Sequence, residues 1–471
     1  MRPVALLHLL SALVGTLLAA ACLFATVAAV DIPVTTPTDL IDLNGDCSLR
    51  EAIEAANTDS AVDGCPAGAG ADVILIPTGT ITLSISPVLT DTNATGDLDL
   101  LTEMTLQGVD ARSTVIDGAG IDRILHISTT AAVTVADLAL TNGRAPSATG
   151  SSGNEISQKG EDGGGILNEG RLTLQRVTVS NNRAGNGESI IMPFPQNSIP
   201  GAAGRGGGIY NSGLLTIEQS ALVGNEAGMT GFVSALHHLH GTSGGDGGGI
   251  FSLGDLTIFN STIGNNRAPD GEDLTGPFYY YLVPGDGGSG GGIANEGQLT
   301  LNNVTLVANY SGRGGTGRAE GTFSYGDSGV GGGIHSAASG TVNARNALLA
   351  GNKAAITPNE CSGELHSLGY NLLEATGGCT VSGTVSSNVY GLNPGVGPLG
   401  LYRGTTPVYY APYVGPAVDR GDCTDSHGAA VVVDQEGTAR PQLGGCDIGA
   451  SEAYVPDYLQ FLPYISELVN G

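Results

Sequence analysis

The chain has 471 residues, with 18 Lys and Arg against 45 Asp and Glu, for a formal net charge of −27 at pH 7. A surface this acidic repels nucleic acid and anionic lipid, which excludes those partners, and it favours divalent cations. Glycine is abundant, at 76 residues, yet Gly and Pro together stay below the share that marks a disordered low-complexity chain.

Residues 1–29 read as a secretory signal peptide. Arg2 precedes an almost wholly apolar stretch over residues 4–25, and Val27-Ala28-Ala29 offers the small residues a signal peptidase needs. The apolar run is long enough for a membrane anchor, but the small-residue site favours cleavage. After its removal no transmembrane segment is expected. Setting aside Cys22, inside the apolar run, leaves six of the seven cysteines. In an oxidising compartment an even set implies disulfides. Proximity in sequence favours Cys47–Cys65, Cys361–Cys379 and Cys423–Cys446. There is no CxxC pair or Cys/His cluster to suggest zinc.

Residues 30–70 are expected to form an N-terminal cap. Within CSLREAIEAAN, Ser48 and Glu51 make a capping box, and Leu49, Ala52, Ile53 and Ala56 share one face of the helix that follows. That face suits an apolar lid over an open solenoid end.

Residues 71–360 carry the fold. Five segments align: GGGILNEGRLTLQRVTVSNNRA from Gly163, GGGIYNSGLLTIEQSALVGNEA from Gly206, GGGIFSLGDLTIFNSTIGNNRA from Gly247, GGGIANEGQLTLNNVTLVANYS from Gly290 and GGGIHSAASGTVNARNALLAGNKA from Gly331. Their isoleucines recur every 41 or 43 residues, a fixed period that signals a solenoid or array. Each motif contains three very short apolar pieces with strand alternation, which is one triangular coil. Stacked coils predict inward columns of Leu172, Leu215, Leu256, Leu299 and Val342, of Leu174, Ile217, Ile258, Leu301 and Ala344, and of Val179, Leu222, Ile263, Leu306 and Leu349. Thr173, Thr216, Thr257 and Thr300 face outward. Asn182, Asn225, Asn266, Asn309 and Asn352 fall at one corner, where asparagine tolerates left-handed backbone and can bond its counterpart one coil away. The predicted class is therefore all-β: a right-handed parallel β-helix with a short N-terminal capping helix and long loops on one flank. The repeats and flanking coils would make a rod on the order of 50 Å at one strand spacing per coil.

Two ends and the repeat carry family resemblances. CSLREAI resembles the signature of bacterial secreted CSLREA-domain proteins. The GG-x-Ile repeats with a downstream Asn-x-Ala, as in Ile166 and Asn182-Arg183-Ala184, resemble those of polymorphic outer membrane proteins. Here aliphatic residues stand where those proteins often place Phe. Residues 361–455, with SLGYNL at 367–372, LNPGVGPL at 392–399 and VDQEGTARPQLGGCDIGASE at 433–452, resemble the choice-of-anchor Q domain. Together these imply a pectate-lyase-like solenoid that is secreted or held at the cell surface. The short tail, 456–471, carries none of the usual attachment signals. Asp434, Arg440 and Asp447 match the C-terminal motif and read as structural hydrogen-bonding residues.

The inserts 145–162, 185–205, 228–246, 269–289 and 311–330 leave each coil at one corner and should line up as a wall, where binding is expected. Phe278, Tyr279, Tyr280, Tyr281, Phe323 and Tyr325 place aromatic faces there, suited to sugar rings or a protein partner. Asp162, Asp246, Asp286 and Asp327 precede four of the five glycine corners, and acidic loop residues in register suit calcium. Asp-Gly is equally ordinary turn chemistry. No other cofactor is suggested. Asp42-x-Asn44-Gly45-Asp46 lacks the Gly and Glu of an EF-hand, with Cys47 and Ile53 in their places. His237, His238 and His240 read as a surface cluster, and Arg183 and Arg267 as corner residues. A polysaccharide lyase or glycoside hydrolase needs clustered carboxylates. Glu169 and Glu296 share a register but lie three repeats apart. The sequence therefore points to a non-catalytic scaffold or adhesin contacting glycans or neighbouring cells, with the β-helix lyase or hydrolase as the rival.

Overall fold

A computed structural model describes residues 29–88, 92–148, 158–191, 201–235, 238–275, 281–319, 322–355, 357–442 and 444–453. Residues 1–28 of the expected signal and the tail 456–471 lie outside them. The protein is a right-handed parallel β-helix in which each coil lays down three short strands, each paired in parallel with its equivalent one coil on. The corner isoleucines pair in order, Ile166 with Ile209, Ile250, Ile293 and Ile334. The two inward columns of the second strand row pair in the expected register, and so does the third-row column. Every member of these columns is at most 3 % exposed. Each fully buried Leu or Ile contributes roughly 1.5–3 kcal/mol.

The stack is longer than the repeat periodicity suggests. Asp31–Pro33 already pairs in parallel with Asp72–Leu75, and Leu372–Leu373 with Val389–Tyr390 closes the other end. The expected cap is thus an insertion inside the first coil. Helix α1 (Leu49–Thr58) is that insertion, opened by the Ser48–Glu51 capping box, with Leu49, Ala52, Ile53 and Ala56 buried. Cys47–Cys65 staples its base, and Cys361–Cys379 and Cys423–Cys446 are also bonded.

The corner asparagines form a continuous buried ladder. The Oδ1 of Asn225 accepts the backbone N–H and the Nδ2 of Asn182, and the same pair of bonds recurs from Asn225 to Asn266, Asn266 to Asn309, and Asn309 to Asn352. The left-handed backbone expected of these residues belongs instead to their predecessors, Asn181 and Asn265 at φ 56°. Turning the chain there aims the next side chain inward. Each coil's first corner glycine is also left-handed, from Gly163 at φ 71° to Gly331 at φ 65°.

Glu360 ends the ladder, its Oε2 accepting Asn352 Nδ2 at 2.5 Å. Burial pushes its carboxyl up to about 7, against the bonds from Asn352. A carboxyl raised on folding binds its proton preferentially in the folded chain, so stability should rise as pH falls through 7 towards 4.5, by on the order of 2–3 kcal/mol. Glu360→Gln should remove that component. Denaturation of both proteins at pH 5 and pH 8 tests this; identical pH dependence would contradict it.

The wall of inserts is close-packed. Outgoing and returning legs interleave: Gly185 N–H donates to Glu161 O, Gly204 to Gly185, Gly228 to Gly204 and Gly245 to Gly228, at 2.8–3.0 Å. A Cβ on Gly185, Gly204, Gly228 or Gly245 would meet a carbonyl oxygen at 2.0–2.1 Å. The glycines are there for close approach, making the inserts a second stacked layer. Small sheets formed by residues 190–191, 232–235, 238–241 and 281–283, and by 274–275, 316–319 and 322–325, extend it outward.

The C-terminal region folds back along the corner between the second and third rows. Thr406 Oγ1 donates to Gln219 O at 2.9 Å, Thr262 Oγ1 to Gln435 Oε1 at 2.7 Å, and Asp422 N to Asn346 Oδ1 at 2.8 Å. Arg440 is fully buried against Glu452 at 2.6 Å. Asp434 accepts the backbone N–H groups of Glu436, Thr438 and Glu452, and Asp447 those of Asp419 and Ala453. These motif residues serve as a frame.

Candidate functional site

An open cleft runs along the returning legs of the inserts, and Arg205 links it to the outer face of the first strand row. The outward position just after each corner isoleucine, or after Leu125 in the coil before Ile166, forms a column, in register, of His126, Leu167, Tyr210, Phe251, Ala294 and His335. Strand alternation places these side chains outside because the buried isoleucine or leucine before each points in.

At its centre Tyr210 and Phe251 stack, centroids 5.5 Å apart and planes 17° from parallel. Arg205, from the residue before Gly206, crosses one coil to lie 4.6 Å over the Phe251 ring. Its Nη1 comes to 3.8 Å from Glu296. Phe251 is sealed at 1 % exposure, so the accessible groups are Tyr210 and the guanidinium. Beside them Asp246 accepts the Ser289 N–H at 2.7 Å. Burial raises its carboxyl above the ordinary range, opposed by that bond and by Arg205. Burial lowers His335 below the usual imidazole value, and its Nδ1 lies 2.7 Å from Ser362 Oγ. A cavity of about 390 Å³ continues along the returning legs, lined by Arg205, His240, Thr242, Ser243, Asp246 and Asp286.

Towards the N-terminal coils the column runs through His126 to Asp99, and His126 is held between Asp99 at 3.0 Å and Glu169 at 3.3 Å. The Asp99 bond, then that of Glu169, raises its pKa against desolvation.

Of the acidic residues expected to gather around calcium, Asp286 and Asp327 stand in register on neighbouring coils, whereas Asp162 and Asp246 do not come together. Asp162 accepts Arg205 N, Asp246 accepts Ser289 N, and Asp286 accepts Asp327 N, each at 2.7 Å. Each carboxylate staples its coil to the next. Asp162 and Asp246 share a column but stand two coils apart, about 10 Å at strand spacing, too far to share one ion. Arg205 occupies the place between them. Among the described residues no group of three His, Cys, Asp or Glu side chains has the arrangement of a metal site. Glu169 and Glu296 stand three coils apart as expected.

Of the aromatic candidates, Phe323 and Tyr325 are 59 % and 72 % exposed on the outermost strand of the wall, with Arg318 5.8 Å from the Phe323 ring. Phe278, Tyr279, Tyr280 and the Tyr281 side chain lie outside the described residues. Arg205, Tyr210, Phe251 and His335 escaped the sequence reading. The signal was present in the variable position that directly follows GGGI, which runs Leu, Tyr, Phe, Ala, His while the isoleucine before it stays constant.

No family model matches the chain, and no curated protein matches it. Among solved structures it is similar to the crystal structure of pectate lyase Pel9A, over 88 % of this chain and 96 % of that one, at 12 % identity and a TM-score of 0.36. A likeness that distant carries no argument about function. Among the described residues no helix is long and apolar enough to cross a membrane.

Proposed function

We propose that the protein is a secreted or cell-surface β-helix scaffold that contacts polysaccharide, or the glycan coat of a neighbouring cell, along the cleft between its first strand row and its insert wall. The observation that carries this is the Tyr210–Phe251–Arg205 unit, with both rings on the first strand row of the rod. An aromatic face takes the apolar side of a sugar ring. Arg205, Glu296 and Asp246 supply donors and acceptors for its hydroxyl groups. The rod repeats its backbone at each coil, which suits a polymer better than a small molecule. Three disulfides, the apolar leader and the CSLREA and choice-of-anchor resemblances support export to the cell surface.

A second reading, hydrolysis, has one observation in its favour. Asp246 has a raised carboxyl, as a general acid requires, in the same cleft as Glu296. It leaves unexplained why the Asp246 Oδ1 is committed to the Ser289 N–H.

Retention on a panel of immobilised neutral and acidic polysaccharides tests the contact surface. Tyr210→Ala and Arg205→Ala should each weaken retention by about tenfold, the scale of one aromatic or charge-assisted contact, without changing the melting temperature. Phe323→Ala with Tyr325→Ala should change it less. Retention that follows the second pair and ignores the first would move the contact to the outer edge of the wall.

A further inference from the structure

The C-terminal region contains a pocket that the cleft does not use. Leu399–Gly400 and Val408–Tyr409 pair antiparallel, and beside them opens a cavity of about 310 Å³ lined by Tyr402, Arg403, Val408, Tyr410, Glu436 and Ser451 among others. That volume lies at the small end of ligand pockets, enough for one ring rather than a chain. Tyr402 and Tyr410 form its walls, with centroids 5.5 Å apart and planes at 57°. Gly397 and Gly400 let both rings lie against the backbone, since a Cβ would meet Tyr410 at 3.0 Å or Tyr402 at 3.3 Å. The Tyr402 hydroxyl is fixed on Pro398 O at 2.6 Å, yet the residue stays 44 % exposed.

The polar side is fixed from beneath. Glu436, its side chain 1 % exposed, accepts the backbone N–H of Arg403 at 2.8 Å, its guanidinium at 3.0 Å and Ser451 Oγ at 3.0 Å. Arg403 also donates to Glu452 O at 2.9 Å and stays 29 % exposed at the side chain. Buried Asp434, Arg440 and Glu452 lock this frame, and Thr406 and Gln435 tie it to the rod. Burying so many charges is costly, and what the frame holds outward is an aromatic pair beside an immobilised guanidinium.

We propose that this pocket binds a single neutral pyranose ring, the terminal or branch residue of a glycan. The tyrosines take the apolar face, and Arg403 donates to ring or hydroxyl oxygens. Asp434, Glu436 and Glu452 outnumber Arg403 and Arg440 around it, which disfavours a uronate. The site is separate from the cleft and does not depend on the cleft's role.

Titration of the full chain with methyl glycosides of glucose, galactose and N-acetylglucosamine, followed by ligand-observed NMR, tests the pocket, with glucuronic acid as the anionic control. At least one neutral glycoside should bind saturably in the millimolar range and glucuronic acid more weakly. Tyr402→Ala should weaken binding by about tenfold, Tyr402→Trp should restore it, and Tyr210→Ala should leave it unchanged. No saturable binding of any neutral glycoside, stronger binding of glucuronic acid, or binding that ignores Tyr402→Ala would overturn the proposal.

Discussion

Asn266→Ala should lower the stability of the rod by on the order of 4 kcal/mol, far more than any outward substitution on the same coil. The Asn266 Oδ1 accepts the backbone N–H and the Nδ2 of Asn225, and its Nδ2 donates to Leu222 O and to Asn309 Oδ1. All four bonds are buried. Alanine leaves the Asn225 N–H, one Asn225 amide proton and the Leu222 carbonyl without that partner, at about 1–3 kcal/mol each. Asn266→Asp should be worse, since it removes both donors and buries a charge. Thr257→Ala, outward on the second row of the same coil, should stay within about 0.5 kcal/mol. Urea denaturation of the four proteins measures this. Because coils interact chiefly with their neighbours, hydrogen exchange should localise the loss to the coils on either side. A cost below about 1 kcal/mol for Asn266→Ala would mean that the ladder follows the fold without holding it together.

The second large effect is expected at the N-terminal end. The Arg50 side chain is fully buried, and its guanidinium holds both oxygens of Asp39 at 2.8 and 3.3 Å. It also donates to the carbonyls of Asn93, Gly96 and Asp97 at 2.8–3.1 Å. One side chain thus joins α1, the connection before it and the segment leading into Leu98–Leu100. Arg50→Ala leaves Asp39 buried with only the N–H groups of Ser84 and Ile85, a loss of about 3–5 kcal/mol. Arg50→Lys should recover little, because an ammonium cannot span the same fork of acceptors. The readout is hydrogen exchange in α1 and in Asp72–Leu75, which should rise while the coils beyond Gly206 stay protected. Full protection with lysine would show that charge alone sustains the cap.

The fold was largely legible because the coil is self-similar. A column that must be apolar in every coil, such as Leu172 to Val342, repeats its identity at a fixed period. The capping box and the disulfide partners were local signals and equally open. The first and last coils were less so, since Asp31–Pro33 is only three residues long and is cut off from its partner strand by α1. The cleft was harder to see, for the same reason that the fold was easy. Constant positions announce structure, whereas Tyr210, Phe251 and His335 occupy the position that varies. Arg205 joins them only through stacking across coils. The acidic loop residues looked like a calcium set because their spacing repeats, but the repeat also brings a backbone N–H to the carboxylates of Asp162, Asp246 and Asp286. The glycine-rich inserts read as a wall of long loops, and in the structure outgoing and returning legs interleave within it. Glycine was being selected for contact between legs as well as for turns.

The most direct test of a contact surface that does not turn its ligand over is a polysaccharide panel, neutral and acidic, incubated with the purified protein with and without calcium. Bound protein and polymer chain length are followed together. Retention on at least one polymer, independent of calcium, lost with Arg205→Ala and with no shortening of the chains, is the expected result. Protein-dependent release of shortened product, lost with Asp246→Asn or Glu296→Gln, would contradict it and make the cleft an active site.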